Sequence, residues 1–118
     1  MITVYGIPAC NTVKKARTWL DAHGIAYVFH DYKKSGIERS KLNHWMTQVS
    51  WEKLVNRAGT TWRKLSDEQK AAVIDANSAA ELLQVQLSAI KRPLLEDATG
   101  TILALGFSES EYEKIFSV

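Results

Sequence analysis

Cysteine, proline and histidine are scarce in this chain: one, two and three of them among 118 residues. A single thiol excludes an internal disulfide framework and fits a reducing compartment. His23, His30 and His44 show no metal-ligand spacing with one another or with Cys10, so no metal site is expected. No apolar run approaches the length that spans a bilayer. The first residues, Met1 to Tyr5, lack the basic stretch and long apolar run of a secretory signal, so a cytoplasmic protein is expected. Charge of one sign is also missing. Fifteen Lys and Arg face thirteen Asp and Glu, a net +2, which argues for neither a nucleic-acid nor a membrane partner. There is no glycine-rich phosphate loop, serine triad, internal repeat or low-complexity segment.

What is present is globular in kind. Apolar residues make up 46% of the chain and charged ones 24%, enough for one domain spanning residues 1–118 with its own core. Ile2 to Tyr5 is β-branched and aromatic and reads as a buried strand. Gly6 and Pro8 turn the chain. From Asn11 to about His23 the residues Val13, Ala16, Trp19 and Leu20 fall at helical spacing, with Lys14, Lys15 and Arg17 on a solvated face and Gly24 as the stop. Tyr27 to Asp31 is a second strand, parallel to the first because a helix separates them.

Lys33 to Gly36 then reads as a polar turn. A helical insertion over about 38–88 follows: a helix from Glu38 to about Val49, a short one from Trp51 to Val55, a loop from Asn56 to Thr61, and two helices opened by Ser66 with Gln69 and by Ser78 with Glu81. Trp45, Trp51 and Trp62 read as helix-packing residues, with Arg63 and Lys64 exposed or packed on Trp62. Leu94-Leu95 and Ile102-Leu103 form an antiparallel hairpin across the turn Asp97 to Gly100, and Ser108 with Glu111 caps a last helix that turns Tyr112, Ile115 and Phe116 inward. The order β-α-β, helices, β-β-α predicts an α/β fold: a four-stranded mixed sheet flanked by helices, with the insertion in mid-chain.

The chemistry concentrates at Cys10, where the first strand meets the first helix. The free N–H groups and dipole at a helix N-terminus favour negative charge. A thiolate placed there has a lowered pKa and raised reactivity.

Three segments carry a resemblance: Tyr5-Gly6-Ile7-Pro8-Ala9-Cys10-Asn11-Thr12-Val13-Lys14-Lys15-Ala16, Gly59-Thr60-Thr61-Trp62-Arg63-Lys64-Leu65 and Ile90-Lys91-Arg92-Pro93-Leu94-Leu95. Together they resemble the arsenate reductase (ArsC)/Spx family, in particular its YffB branch, and imply a thioredoxin-like fold. The resemblance makes Cys10 the nucleophile and Arg92 its partner in catalysis. It implies a cis peptide bond before Pro93 that presents the Arg92 backbone to an extended thiol substrate. Arsenate reductases of this type hold their oxyanion with three arginines. At the first of those positions this chain has Asn56, with Arg57 beside it, and near the third it has the apolar Leu105. Spx-type regulators often carry a Cys-x-x-Cys switch; here the fourth position is Val13.

A lone thiol can attack a disulfide but needs an outside thiol to release it. The leading expectation is therefore a small monothiol oxidoreductase that holds no bound cofactor and uses glutathione as co-substrate. Glutathione or a glutaredoxin resolves the enzyme, and a small-molecule or protein disulfide is the substrate. Asn11, Thr12, Lys14, Asn56, Arg57 and Pro93 are the candidate glutathione- or substrate-binding residues, and a monomer is expected. Two alternatives stand beside it: an arsenate reductase-like enzyme, and a non-catalytic Spx-like regulator that binds RNA polymerase.

Overall fold

The computed structural model describes residues 1–118. Its four strands are β1 (Ile2–Gly6), β2 (Tyr27–Asp31), β3 (Leu94–Glu96) and β4 (Ile102–Leu105), joined in one mixed sheet of order β2-β1-β3-β4. The first helix, α1 (Asn11–Ala22), links β1 to β2, and the two strands run parallel with Ile2 opposite Tyr27 and Gly6 opposite Asp31. β3 lies antiparallel on the other side of β1, with Tyr5 opposite Leu94. β4 pairs antiparallel with β3, and a bulge near Leu95 and Glu96 shifts the register. The mixed sheet flanked by helices is the architecture that the order of sequence signals predicts.

The chain divides into two compact units, Met1–Ser35 with Arg92–Val118, and Gly36–Lys91. The first holds the whole sheet, α1, a short helical turn α2 (Tyr32–Ser35) and the last helix, which is numbered below in chain order. The second begins at Gly36 and ends at Lys91, slightly wider than the 38–88 expected for the insertion.

In the first unit, Val4, Leu95 and Ala104 stand side by side on one sheet face and meet Ala16, Trp19 and Leu20 of α1 and Tyr112 of the last helix, all buried. The stripe read from the sequence of α1 is thus the stripe that packs. Trp19 meets Tyr112 edge to face with ring centres 5.4 Å apart, a favourable aromatic geometry. Arg17 is not simply solvated. Its guanidinium lies 4.1 Å from the centre of the Phe29 ring, and its Nε donates to the Tyr27 hydroxyl at 3.3 Å. α1 ends in a left-handed Gly24, φ +66°, as its sequence requires.

The second unit contains α3 (Arg39–Met46), α4 (Trp51–Leu54), α5 (Thr60–Arg63), α6 (Asp67–Ala71) and α7 (Ala76–Val85), then a 3-10 turn at Leu87–Ala89. Leu42, Trp45, Leu54 and Leu83 are buried in it. Ser66 and Gln69 form the expected capping box of α6. The next cap differs from expectation. α7 starts earlier, with Asp75 as N-cap accepting from the Ser78 N–H at 2.8 Å and Ser78 bonding back to the Asp75 N–H at 3.1 Å. Asp75 offers the same short acceptor as serine and stands three residues upstream, so Ser78 is the third helical residue. Two further boundaries move. Thr60 and Thr61 belong to α5, not to the preceding loop, and Lys33 to Ser35 continue the helical turn α2 before Gly36 at φ +64°.

The last helix, α8 (Glu109–Phe116), is capped by Ser108, whose Oγ accepts from the Glu111 N–H as predicted. Tyr112 is buried, and its hydroxyl donates to the Gly106 carbonyl at 2.9 Å, tying α8 to the end of β4.

Gly6 closes β1 directly under α1. A Cβ at that position would stand 2.8 Å from Val13 Cγ2, closer than side chains pack. Val13 is fully buried and β-branched, so it has little room to turn away. Gly6→Ala is therefore expected to cost about 1 to 2 kcal/mol of unfolding free energy by overpacking, measured as a drop in the urea midpoint at unchanged slope.

Candidate active site

β1 leaves the sheet at Gly6, turns over Ile7 to Ala9, and enters α1 with Cys10 as its N-cap. The turn is closed by the Cys10 N–H donating to the Ile7 carbonyl at 3.1 Å. Cys10 has extended backbone, φ −73° and ψ 125°, and its carbonyl accepts the first helical bond from the Lys14 N–H at 3.0 Å. Its side chain therefore lies beside the N–H groups that open the helix, and it is partly exposed. No capping hydrogen bond of strict geometry reaches the sulfur. The Val13 and Thr12 N–H groups act on it all the same.

Several influences on the thiol compete. Partial burial pushes its pKa up. Against this stand the Val13 N–H, the charge of the Arg92 guanidinium, the Thr12 N–H and a side-chain hydrogen bond from Arg92, and together they hold the thiol below its ordinary value. The cause is the one that the position in sequence implies, helix N–H groups, joined by a cation from a distant segment.

Arg92 reaches the site because of where β3 begins. Tyr5 pairs with Leu94, so the chain entering β3 passes Pro93 at the level of Gly6 and places Arg92 just beyond the end of β1, toward the turn that carries Cys10. The Arg92–Pro93 peptide bond is cis, and Pro93 is buried, with its carbonyl accepting from the Gly106 N–H at 2.8 Å. Cys10, Arg92, Pro93 and the helix-opening residues Asn11 and Thr12 thus belong to one unit and one end of the sheet. Lys14 is on the first turn of α1 with an exposed side chain. The cation that acts on the thiol is Arg92.

Asn56 and Arg57 fall in the other unit. The Asn56 N–H donates to the Ala89 carbonyl at 2.8 Å, its own carbonyl accepts from Gly59, and its side chain lies against Gly59, where a Cβ would come within 2.7 Å of Nδ2. These contacts make Asn56 the organiser of a turn. The Arg57 guanidinium lies 5.4 Å from the Trp51 ring centre, 5.8 Å from that of Trp62 and 3.9 Å from the Glu52 carboxylate. Cation–π packing is the local role those distances describe. Trp51 and Trp62 are half-buried partners of this arginine, whereas Trp45 is a core residue.

On the sheet face turned away from α1, a group of polar residues escaped the sequence reading. Glu96 is buried and accepts a hydrogen bond from the Tyr5 hydroxyl at 3.0 Å. Tyr32, fully buried, lies with its ring 6.2 Å from that of Tyr5 and 5.8 Å from His30. The available signal was Glu96 itself, a charged residue two positions after Leu94 in an apolar strand. The structure gathers no group of three or more His, Cys, Asp or Glu that could hold a metal ion. No helix is long and apolar enough to cross a membrane.

The model of the ArsC family matches residues 5–115. The chain belongs to the ArsC family. Among solved structures this ArsC-family chain is similar to a YffB protein, 48% identical with a TM-score of 0.89 over 98% of each chain. It is also similar to an arsenate reductase (ArsC) related protein from Brucella melitensis, 48% identical with a TM-score of 0.77 over 99% of this chain and 95% of that one. The global transcriptional regulator Spx of Streptococcus pneumoniae is 26% identical over 94% of this chain and 82% of its own length. The family and its thioredoxin-like fold are those that the three sequence segments imply.

Proposed function

We propose that this ArsC-family chain is a monothiol oxidoreductase in which Cys10 attacks a disulfide and an external thiol, glutathione, restores it. The observation that carries the reading is the partly exposed Cys10 thiol with Arg92 and the Val13 and Thr12 N–H groups arranged around it. In the first step the Cys10 thiolate attacks one sulfur of a disulfide. The new bond is Cys10–S–S–R, and the departing thiolate takes a proton from solvent. In the second step a glutathione thiolate attacks the R sulfur, forms glutathione–S–S–R and returns Cys10 to its thiolate. A second glutathione thiolate then attacks the glutathione sulfur of that mixed disulfide, forming oxidised glutathione and releasing R as a thiol. Two electrons thus pass from two glutathione thiols to the substrate disulfide, and no second cysteine of the chain takes part.

Arg92 supplies a guanidinium that stabilises the thiolate in both its resting and its departing form. Asn11 and Thr12 offer helix-opening N–H groups to a carboxylate or carbonyl of the bound thiol, and the exposed Lys14 offers a cation one turn on. Arsenate as the substrate has less support. An oxyanion with two charges calls for several fixed guanidinium groups. Of the two positions that depart from the arsenate-reductase pattern, Asn56 is used by its turn and Leu105 is a strand residue.

One coupled assay separates the readings. Glutathione-linked reduction of a small disulfide and of arsenate is followed by glutathione oxidation, with Cys10→Ser as the blank. Turnover of the disulfide alone supports the proposal. Turnover of arsenate supports the arsenate-reductase alternative. Turnover of neither, with RNA polymerase retained on the immobilised protein, supports the regulator.

A further inference from the structure

Gly6 is the last residue of β1, paired opposite Asp31, and its backbone is ordinary strand with no positive φ. A strand glycine that needs no special backbone marks a place where another part of the chain comes close. Here that part is one side chain. A Cβ on Gly6 would lie 2.8 Å from Val13 Cγ2, 3.1 Å from Cγ1 and 3.6 Å from Cβ, so the whole isopropyl group of Val13 faces the bare Cα. Gly6 is buried, and Val13 is fully buried.

Val13 is also the third residue of α1, counted from Asn11, with Cys10 as the N-cap. An N-cap side chain lies beside the N–H groups of the second and third helical residues, here Thr12 and Val13. One residue therefore has two contacts to make, its side chain with the end of β1 and its N–H with the thiol. Cys10 has its own tie to the same strand end. Its N–H donates to the Ile7 carbonyl at 3.1 Å, and Ile7, which directly follows Gly6, is buried. The first turn of α1 is thus fastened to β1 twice, through Ile7 at Cys10 and through Gly6 at Val13. Extra bulk at Gly6 pushes Val13 away while Ile7 holds Cys10, and the gap between the N–H groups and the sulfur widens.

We propose that Gly6 and Val13 are a pair of positioning residues for Cys10: their close approach seats the first turn of α1 on the end of β1 and so aims the Thr12 and Val13 N–H groups at the sulfur. The inference rests on the proposed role of Cys10 as a thiolate nucleophile. The charged groups on the elements that meet there are Lys14, Lys15 and Arg17 in the first two turns of α1, Asp31 at the end of β2, and Arg92 before β3; β1 carries none. Gly6 and Val13 are themselves uncharged, so alanine at either position changes the fit and leaves every charge in place.

The test is the pH profile of Cys10 alkylation by iodoacetamide in four proteins: wild type, Gly6→Ala, Val13→Ala and the double variant. Gly6→Ala raises the midpoint by about half a unit, the scale on which a charge interacts with a helix end. Val13→Ala leaves a gap in place of the contact and raises the midpoint by less. In the double variant the methyl added at position 6 fills the room that Val13 gave up, so the midpoint lies nearer to wild type than in either single variant. A pair that served stability alone would leave all four midpoints together. The inference is overturned if the four coincide, or if the double variant is shifted as far as either single one. Where Gly6→Ala does not fold, the comparison of the double variant with Val13→Ala decides by the same rule. A wild-type midpoint at the ordinary thiol value instead overturns the thiolate reading of Cys10 on which the inference rests, so the two failures are distinct.

Discussion

Cys10→Ser is expected to abolish disulfide turnover while leaving the protein at least as stable as before. The two halves of this result have separate causes. Serine cannot form the mixed disulfide, and its hydroxyl ionises negligibly at neutral pH, so glutathione-linked activity falls by a factor on the order of a thousand or more, to the level of the blank. Stability is governed by the helix end. Cys10 occupies the N-cap of α1 without a side-chain capping bond, and serine is among the residues that cap best. A serine Oγ in that place accepts from the Val13 or Thr12 N–H, so a gain of about 0.5 to 1 kcal/mol is expected, read from urea unfolding. A thiol kept where a hydroxyl caps better is the trade between stability and activity found at functional sites. Loss of turnover with a loss of stability greater than about 1 kcal/mol would instead mark Cys10 as a packing residue.

Arg92→Met is expected to raise the Cys10 alkylation midpoint by about one unit. A charge-assisted hydrogen bond contributes roughly 1.5 to 3 kcal/mol, and one pKa unit corresponds to about 1.4 kcal/mol. Solvent at a partly exposed thiol screens the interaction, which places the effect at the low end. The sign follows from the charge: removing a cation disfavours the thiolate, so the midpoint moves up. At a pH well below both midpoints the thiolate fraction then falls about tenfold, but the more basic thiolate is about threefold more nucleophilic, so the alkylation rate falls only about threefold. The midpoint is thus a more sensitive readout than the rate at one pH. A midpoint unchanged in Arg92→Met would remove Arg92 from the site.

Much of the first unit was legible in the sequence. Val13, Ala16, Trp19 and Leu20 marked the buried face of α1, and the separation of two apolar strands by that helix forced their parallel pairing. Placing Cys10 at the helix start required only the Gly-Pro turn before it and the periodicity after it. The approach of Arg92 was not readable from local pattern, since it depends on the antiparallel register that sets Tyr5 against Leu94; it entered through resemblance alone. Tyr32 was hidden for a related reason. It lies at the edge of a stretch, Lys33 to Gly36, whose polar composition reads as a turn, and its burial comes from strands distant in sequence. In the second unit the start of α7 was misplaced because Asp75 and Ser78 are both good N-cap residues, and only the hydrogen bonds decide between them. The local contacts of Asn56 and Arg57, a turn braced against Gly59 and a guanidinium laid on two indoles, could not be read from residue type, because they depend on how residues 51 to 62 fold together.

The central claim is that the opening of α1, together with Arg92, holds the Cys10 thiol below its ordinary pKa. The rate of iodoacetamide alkylation of the wild-type protein, measured from about pH 5 to 10, addresses it without any knowledge of the substrate. The rate is expected to rise as the thiol loses its proton and to reach its midpoint clearly below the free-cysteine value of about 8.5. A midpoint at or above that value would contradict the account.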